Sequence, residues 1–168
     1  HRAGGDGAHA PAVVFVHGWP WNRLGNQAGS SLLPDRDVEF LGLAQALSQA
    51  GFHTLLFDLR NHGQSDVARP VTFGVHEARD FLGAVAYLRR RPEVDGERIG
   101  AVGFSMGAGW ALIVAAAEGE QIGATVLFYG NEYADYGKIT SKVIGHYSDN
   151  DEWEPNEYVD NTFAEFKK

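Results

Sequence analysis

The chain has 168 residues, a formal net charge of −8, 44% apolar residues, 21% charged residues and no cysteine. This is the balance of one globular domain, 1–168, rather than of a disordered or fibrous chain. The missing cysteine excludes a disulfide framework and a Cys-based zinc site. The acidic balance argues against nucleic acid or an anionic membrane as partner, since both favour a basic face.

No apolar run approaches the roughly 20 residues that span a bilayer, and no signal peptide is visible. A cytoplasmic location is expected. The chain starts at His1 rather than at Met. That start points to a trimmed or partial chain and leaves a removed leader open. Oligomeric state is not legible.

Residues 1–10 are rich in Gly, Ala and His and read as a loose lead-in. Strands and helices then alternate. Ala12–His17 is an apolar run that stops at Gly18 and predicts a buried strand. Asp37–Ala50 carries Val38, Leu41, Ala44 (or Gln45) and Leu47 near helical spacing and stops at Gly51. Phe52–Asp58 predicts a second strand. Thr72 is placed to N-cap a helix with the stripe Val75, Ala78, Phe81, Leu82, Val85 and Leu88, which Pro92 ends. Arg98–Phe104 predicts a strand, Met106–Glu118 a helix and Gly123–Tyr129 a strand. The stretch from Tyr129 to Lys142 is too short and polar for a full helix. Lys142–Tyr147 and Pro155–Lys167 predict a last strand and helix, with Pro155 near the first turn. Strands that are near-continuous apolar runs are covered on both faces. The fold class is therefore α/β, with an open, mostly parallel sheet between helices.

The strongest chemical signal is Gly103-Phe104-Ser105-Met106-Gly107, set between a strand and a helix. A serine hydroxyl is a weak nucleophile unless it is exposed and next to a base. A sharp strand-to-helix turn lifts it clear of the sheet, Gly103 and Gly107 leave room for the turn, and the helix start points N–H groups at any oxyanion formed there. The plainer reading is a Gly-rich packing turn. His17-Gly18-Trp19-Pro20 ends the first strand. Acyl transfer needs two N–H donors on the oxyanion, and Met106 and Trp19 are the expected pair. His17 reads as a loop-holding residue, with a base as its alternative role.

Asp151 follows the last strand, where the acid belongs in the chain order serine, acid, histidine. Asp149, Glu152 and Glu154 are its neighbours and rivals. The cluster lacks the glycine and the distant glutamate of a calcium-binding EF-hand loop. Asp58–Ser65 follows the second strand, on the edge of a parallel sheet where ligands bind. It reads as a pocket-shaping loop, with His62 as an alternative base.

These motifs resemble the α/β-hydrolases. The segments Ile99–Ala108, Val126–Gly130 and Ile144–Pro155 resemble the dienelactone hydrolase family in particular. That family often carries Cys as nucleophile. Ser105 resembles its serine members, which leans the reading to ester hydrolysis. The resemblance implies a catalytic His after one more strand beyond the last helix. No His follows His146 in this sequence, so the resemblance implies a chain cut short at the C-terminus, with two opening strands missing as well. The function it implies is cleavage of a small ester or lactone through an acyl-enzyme on Ser105, with no metal or organic cofactor. A non-catalytic homologue that binds a ligand or partner is the alternative.

Overall fold

The structure is a computed structural model and describes residues 9–26 and 38–166. Five strands form its sheet: β1 (Ala10–Val16), β2 (His53–Leu56), β3 (Val94–Phe104), β4 (Ala124–Phe128) and β5 (Lys142–His146). All neighbours pair in parallel, in the order β2-β1-β3-β4-β5. Four helices connect or follow them: α1 (Leu41–Gln49), α2 (Val75–Arg89), α3 (Met106–Ala117) and α4 (Asn156–Glu165). The α/β class read from the apolar runs holds.

Several boundaries move. The first helix starts at Leu41, later than expected; Asp37 lies outside the described residues. β3 starts at Val94, before Arg98, because Val94 pairs with Ala10 beyond a register irregularity. Gly74, not Thr72, is the N-cap of α2. The Thr72 hydroxyl still serves the helix end, accepting the His76 N–H at 2.9 Å. The stretch between β4 and β5 holds one 3-10 turn, Tyr136–Lys138.

The core forms on both faces of the sheet. Phe81, Val85 and Leu88 of α2 and Trp110, Ala111 and Val114 of α3 pack with Val14, Val16, Ile99 and Ala101. On the other face Ala44 of α1, with Trp21 and Phe40, packs with Phe15, Val102 and Phe104. α3 is buried nearly all round, as its Ala-rich and apolar sequence requires. β5 departs from the expectation of strands covered on both faces. Its residues alternate between exposed and half-buried, because it lies at the sheet edge and Ile144 faces solvent.

The connections set where a site can form. From β1 the chain moves outward one way to β2; β3 lies on the other side of β1, and β4 and β5 continue outward from it. The order therefore reverses between β1 and β3. In an open parallel sheet a crevice opens at the carboxyl ends of such strands. Those ends are Val16–His17 and Phe104–Ser105.

Candidate active site

Ser105 sits in the turn from β3 to α3 with φ 52° and ψ −130°. Residues with a side chain avoid that backbone region, and strain of this kind collects at functional positions. The turn is fixed from both sides. The Ser105 N–H donates to the Phe128 carbonyl at 2.9 Å, and the Ser105 carbonyl accepts the Ala108 N–H at 2.9 Å. Neighbouring backbone approaches too closely for side chains. A Cβ on Gly103 would lie 2.5 Å from the Ala108 Cα, and one on Gly107 would lie 2.5 Å from the His17 carbonyl oxygen. The elbow is thus pressed against the end of β1.

The loop after β1 covers the serine. A Cβ on Gly18 would stand 2.8 Å from the Ser105 Cβ and 3.3 Å from its Oγ. Trp19 follows directly. Among the described residues, the N–H groups of Trp19 and Met106 have no hydrogen-bond acceptor. The geometry therefore brings Ser105, Gly18, Gly103 and Gly107 together and leaves two backbone donors beside them.

His17 is buried behind this loop, 1% exposed. Its Nε2 accepts the Leu59 N–H at 3.1 Å, so the ring proton is on Nδ1, which donates to the Gly18 carbonyl at 2.8 Å. Burial pulls its pKa down to about 4, and the ring is neutral at pH 7. Both ring nitrogens are thus occupied by the backbone of Gly18 and Leu59. His62 packs edge to face on His17 at 5.0 Å between ring centroids. Its Nδ1 bonds the Arg60 carbonyl at 2.8 Å, so it too braces the loop after β2.

That loop is tied at several points. The Asp58 carboxylate accepts the N–H groups of Arg23 at 2.7 Å and Gln64 at 2.9 Å, and pairs with the Arg23 guanidinium. Burial alone would raise its pKa, but the Gln64 and Arg23 N–H groups and the guanidinium hold it below its ordinary value. Arg60 forms a two-pronged pair with Asp80 of α2 at 2.8 and 2.6 Å. The Arg23 and Asp80 partners were not legible, because each lies some twenty or more positions from the residue it holds.

Asp151 stands in the turn after β5. Its Oδ1 accepts the N–H groups of Trp153 at 2.9 Å and Glu154 at 3.1 Å. Among the described residues its Oδ2 has no hydrogen-bond partner. One oxygen is pinned and the other is open to accept an imidazole N–H. Asp149 and Glu152 are exposed. Glu154 turns inward: its Oε1 accepts the Asn131 N–H at 3.0 Å, while Oε2 is buried with no partner among the described residues. Burial pushes its pKa up. Asn131 follows Gly130, whose missing side chain lets it lie against the Ser105 backbone. This link from acid turn to elbow is carried by Glu154, which the sequence showed only as a rival acid. Among the described residues no group of three or more His, Asp and Glu side chains is set to hold a metal ion, and no helix is long and apolar enough to cross a membrane.

A parallel sheet with a strained serine at its switch point defines the class of α/β proteins built around a strand–serine–helix elbow. The chain matches the alpha/beta hydrolase fold family over residues 11–161 and belongs to it. It is 30% identical to thiohydrolase aneE of Aspergillus aculeatus over 106 residues, 62% of this chain and 29% of that protein. It is 31% identical to an uncharacterized 31.7 kDa protein of the traX-finO intergenic region of Escherichia coli, over 63% of this chain and 32% of that one. The chain thus spans about a third of the length of these curated relatives. Among solved structures it resembles the esterase Pf2001 of Pyrococcus furiosus, with a TM-score of 0.59 and 28% identity, over 74% of this chain and 44% of that one. It also resembles Est1E of Butyrivibrio proteoclasticus, seen with ferulic acid bound, with a TM-score of 0.70 over 94% of this chain and 76% of that one. At 18% identity the second likeness is one of fold alone.

Proposed function

We propose that the protein is a serine hydrolase that cleaves a small ester or lactone through an acyl-enzyme on Ser105, akin to the serine members of the dienelactone hydrolase family. The observation that carries this reading is Ser105 itself, strained at the switch point with φ 52° and with Gly18 against its hydroxyl. In this mechanism the Ser105 Oγ attacks the carbonyl carbon as an imidazole takes its proton. The N–H groups of Trp19 and Met106 hold the oxyanion. The imidazolium returns the proton to the departing alkoxide, and water then releases the acid by the same steps in reverse. Asp151 orients the imidazole through its open oxygen. His17 and His62 are engaged in loop support, so neither is assigned as the imidazole in this reading.

The same engagement of both histidines favours a second reading, a homologue that binds a ligand without turnover. One experiment separates the two. A fluorophosphonate probe and a p-nitrophenyl ester are applied to the 168-residue chain and to any longer natural form of it. Under the hydrolase reading, mass spectrometry finds the adduct on Ser105, and Ser105→Ala abolishes both labelling and turnover. Full turnover in Ser105→Ala would overturn it, and a longer form that neither labels nor turns over would favour the binding module.

A further inference from the structure

Phe73 stands at φ 47°, outside the region that side-chained residues favour. The residue is nonetheless 51% exposed. A strained residue persists only where its surroundings over-determine it. Here the surroundings are Glu77, 1% exposed. Its carboxylate accepts the Thr72 hydroxyl at 2.6 Å, the Gly74 N–H at 2.9 Å and the Thr72 N–H at 3.3 Å. These donors flank Phe73 on both sides. Burial alone would raise the Glu77 pKa, but the Thr72 hydroxyl and the backbone donors bring it down to about 2. A buried carboxylate thus fixes the backbone on both sides of Phe73.

The ring does not point into empty solvent. It meets Trp19 edge to face, with centroids 6.1 Å apart and planes at 70°. Trp19 is 46% exposed and follows Gly18, the residue packed on Ser105. On its other side lies Gly74, where a Cβ would stand 3.8 Å from the Ile113 side chain of α3. The two rings come from separate loops and meet beside the oxyanion loop. An edge-to-face pair leaves ring faces free, and ring faces prefer another ring to an alkyl chain of similar size.

We infer that Trp19 and Phe73 form the wall that receives an aromatic group of the substrate, so that the ester bound at Ser105 carries an aryl ring. This rests on the hydrolase reading for what happens at Ser105, but not for the binding itself. The ring can enter on the acyl or the alcohol side, and two pairs of neutral esters separate these. Methyl 3-phenylpropanoate is compared with methyl butanoate, and benzyl acetate with butyl acetate.

The Ser105→Ala chain is titrated with each ester by NMR, and then with Trp19→Leu or Phe73→Leu added. The Leu variants keep apolar bulk while removing the ring, and circular dichroism checks their fold. One aromatic ester is expected to bind saturably, more tightly than its aliphatic partner, and to shift the Trp19 indole signal. Each Leu change weakens it about tenfold, the scale of one aromatic pair, and Phe73→Leu leaves the aliphatic partner within about twofold. Equal binding of both members of each pair, or unchanged aromatic binding in both Leu variants, overturns the inference. Hydrolysis persisting in Ser105→Ala would sink the nucleophile role instead, and the binding comparison would still decide the wall.

Discussion

The histidine that ends β1 shows how one buried side chain couples acidity to stability. His17 is neutral when folded, with a pKa near 4 set mainly by burial, against an ordinary value of 6.5. The unfolded chain binds its proton near pH 6.5 and the folded chain only near pH 4. Below pH 6.5 the unfolded state therefore holds more protons, and stability falls as pH falls from 6.5 towards 4. At 1.36 kcal/mol per unit, the full effect is about 3 kcal/mol. Urea unfolding across this range should show that slope. His17→Asn should lower stability at pH 7 by about 1–3 kcal/mol through lost hydrogen bonds and flatten the slope. A variant with an unchanged slope would show that the imidazole takes up its proton over the same pH range folded and unfolded. The sequence revealed this residue by position, since it follows an apolar run and precedes glycine. It did not reveal the bond from Leu59, which depends on β2 lying beside β1.

Two glycines show why local reading works at the elbow and fails elsewhere. Gly107 lies in the first turn of α3, where a Cβ would overlap the Val16 and His17 carbonyl oxygens. Those are backbone atoms at the end of a central strand and have nowhere to go. Gly83 lies in α2, and a Cβ added there would meet nothing within 4 Å. Gly107→Ala should therefore cost about 3 kcal/mol or leave the chain unfolded. Gly83→Ala should stabilise by about 0.5–1 kcal/mol through helix entropy. Thermal melts of the two compare them directly, and a harmless Gly107→Ala would mean that α3 is not pressed on β1. The elbow was legible because strand, glycine spacing and helix are contiguous in the chain. The start of α2 was legible only in part. Thr72 signals a helix end, but the grip of Glu77 on Thr72 and Gly74 exists only once the turn has folded back on itself. Phe73 carried no signal, because an exposed aromatic looks like any other until its φ and its contact with Trp19 are known.

Across the whole molecule the two halves of the proposed machinery rest on unequal foundations. Ser105 rises from β3, whose last four residues are buried, between β1 and β4. Asp151 follows β5, an edge strand with Ile144 and His146 exposed. Like β1, β5 was expected to be covered on both faces, although its apolar run is only Val143-Ile144 between Lys142 and Gly145-His146. Which of them is covered is decided by strand order, a property no single segment carries. Local stability follows burial and contact density. Amides of β1 and β3 should therefore exchange only through global unfolding, and those of β5 and the start of α4 through smaller openings. Hydrogen exchange by NMR over rising denaturant separates the two, since a smaller opening exposes less surface and depends less on denaturant than global unfolding. The Asn131 amide, which donates to Glu154, is the informative probe between them. Exchange with the β5 group would place the acid turn and its Glu154 tie in one mobile unit, free to settle against an imidazole. Exchange with the β3 group would mean that Glu154 fastens the turn to the rigid core. Equal protection of β5 and β3 would show that the edge strand is as firmly held as the centre, and the contrast drawn from burial would fall.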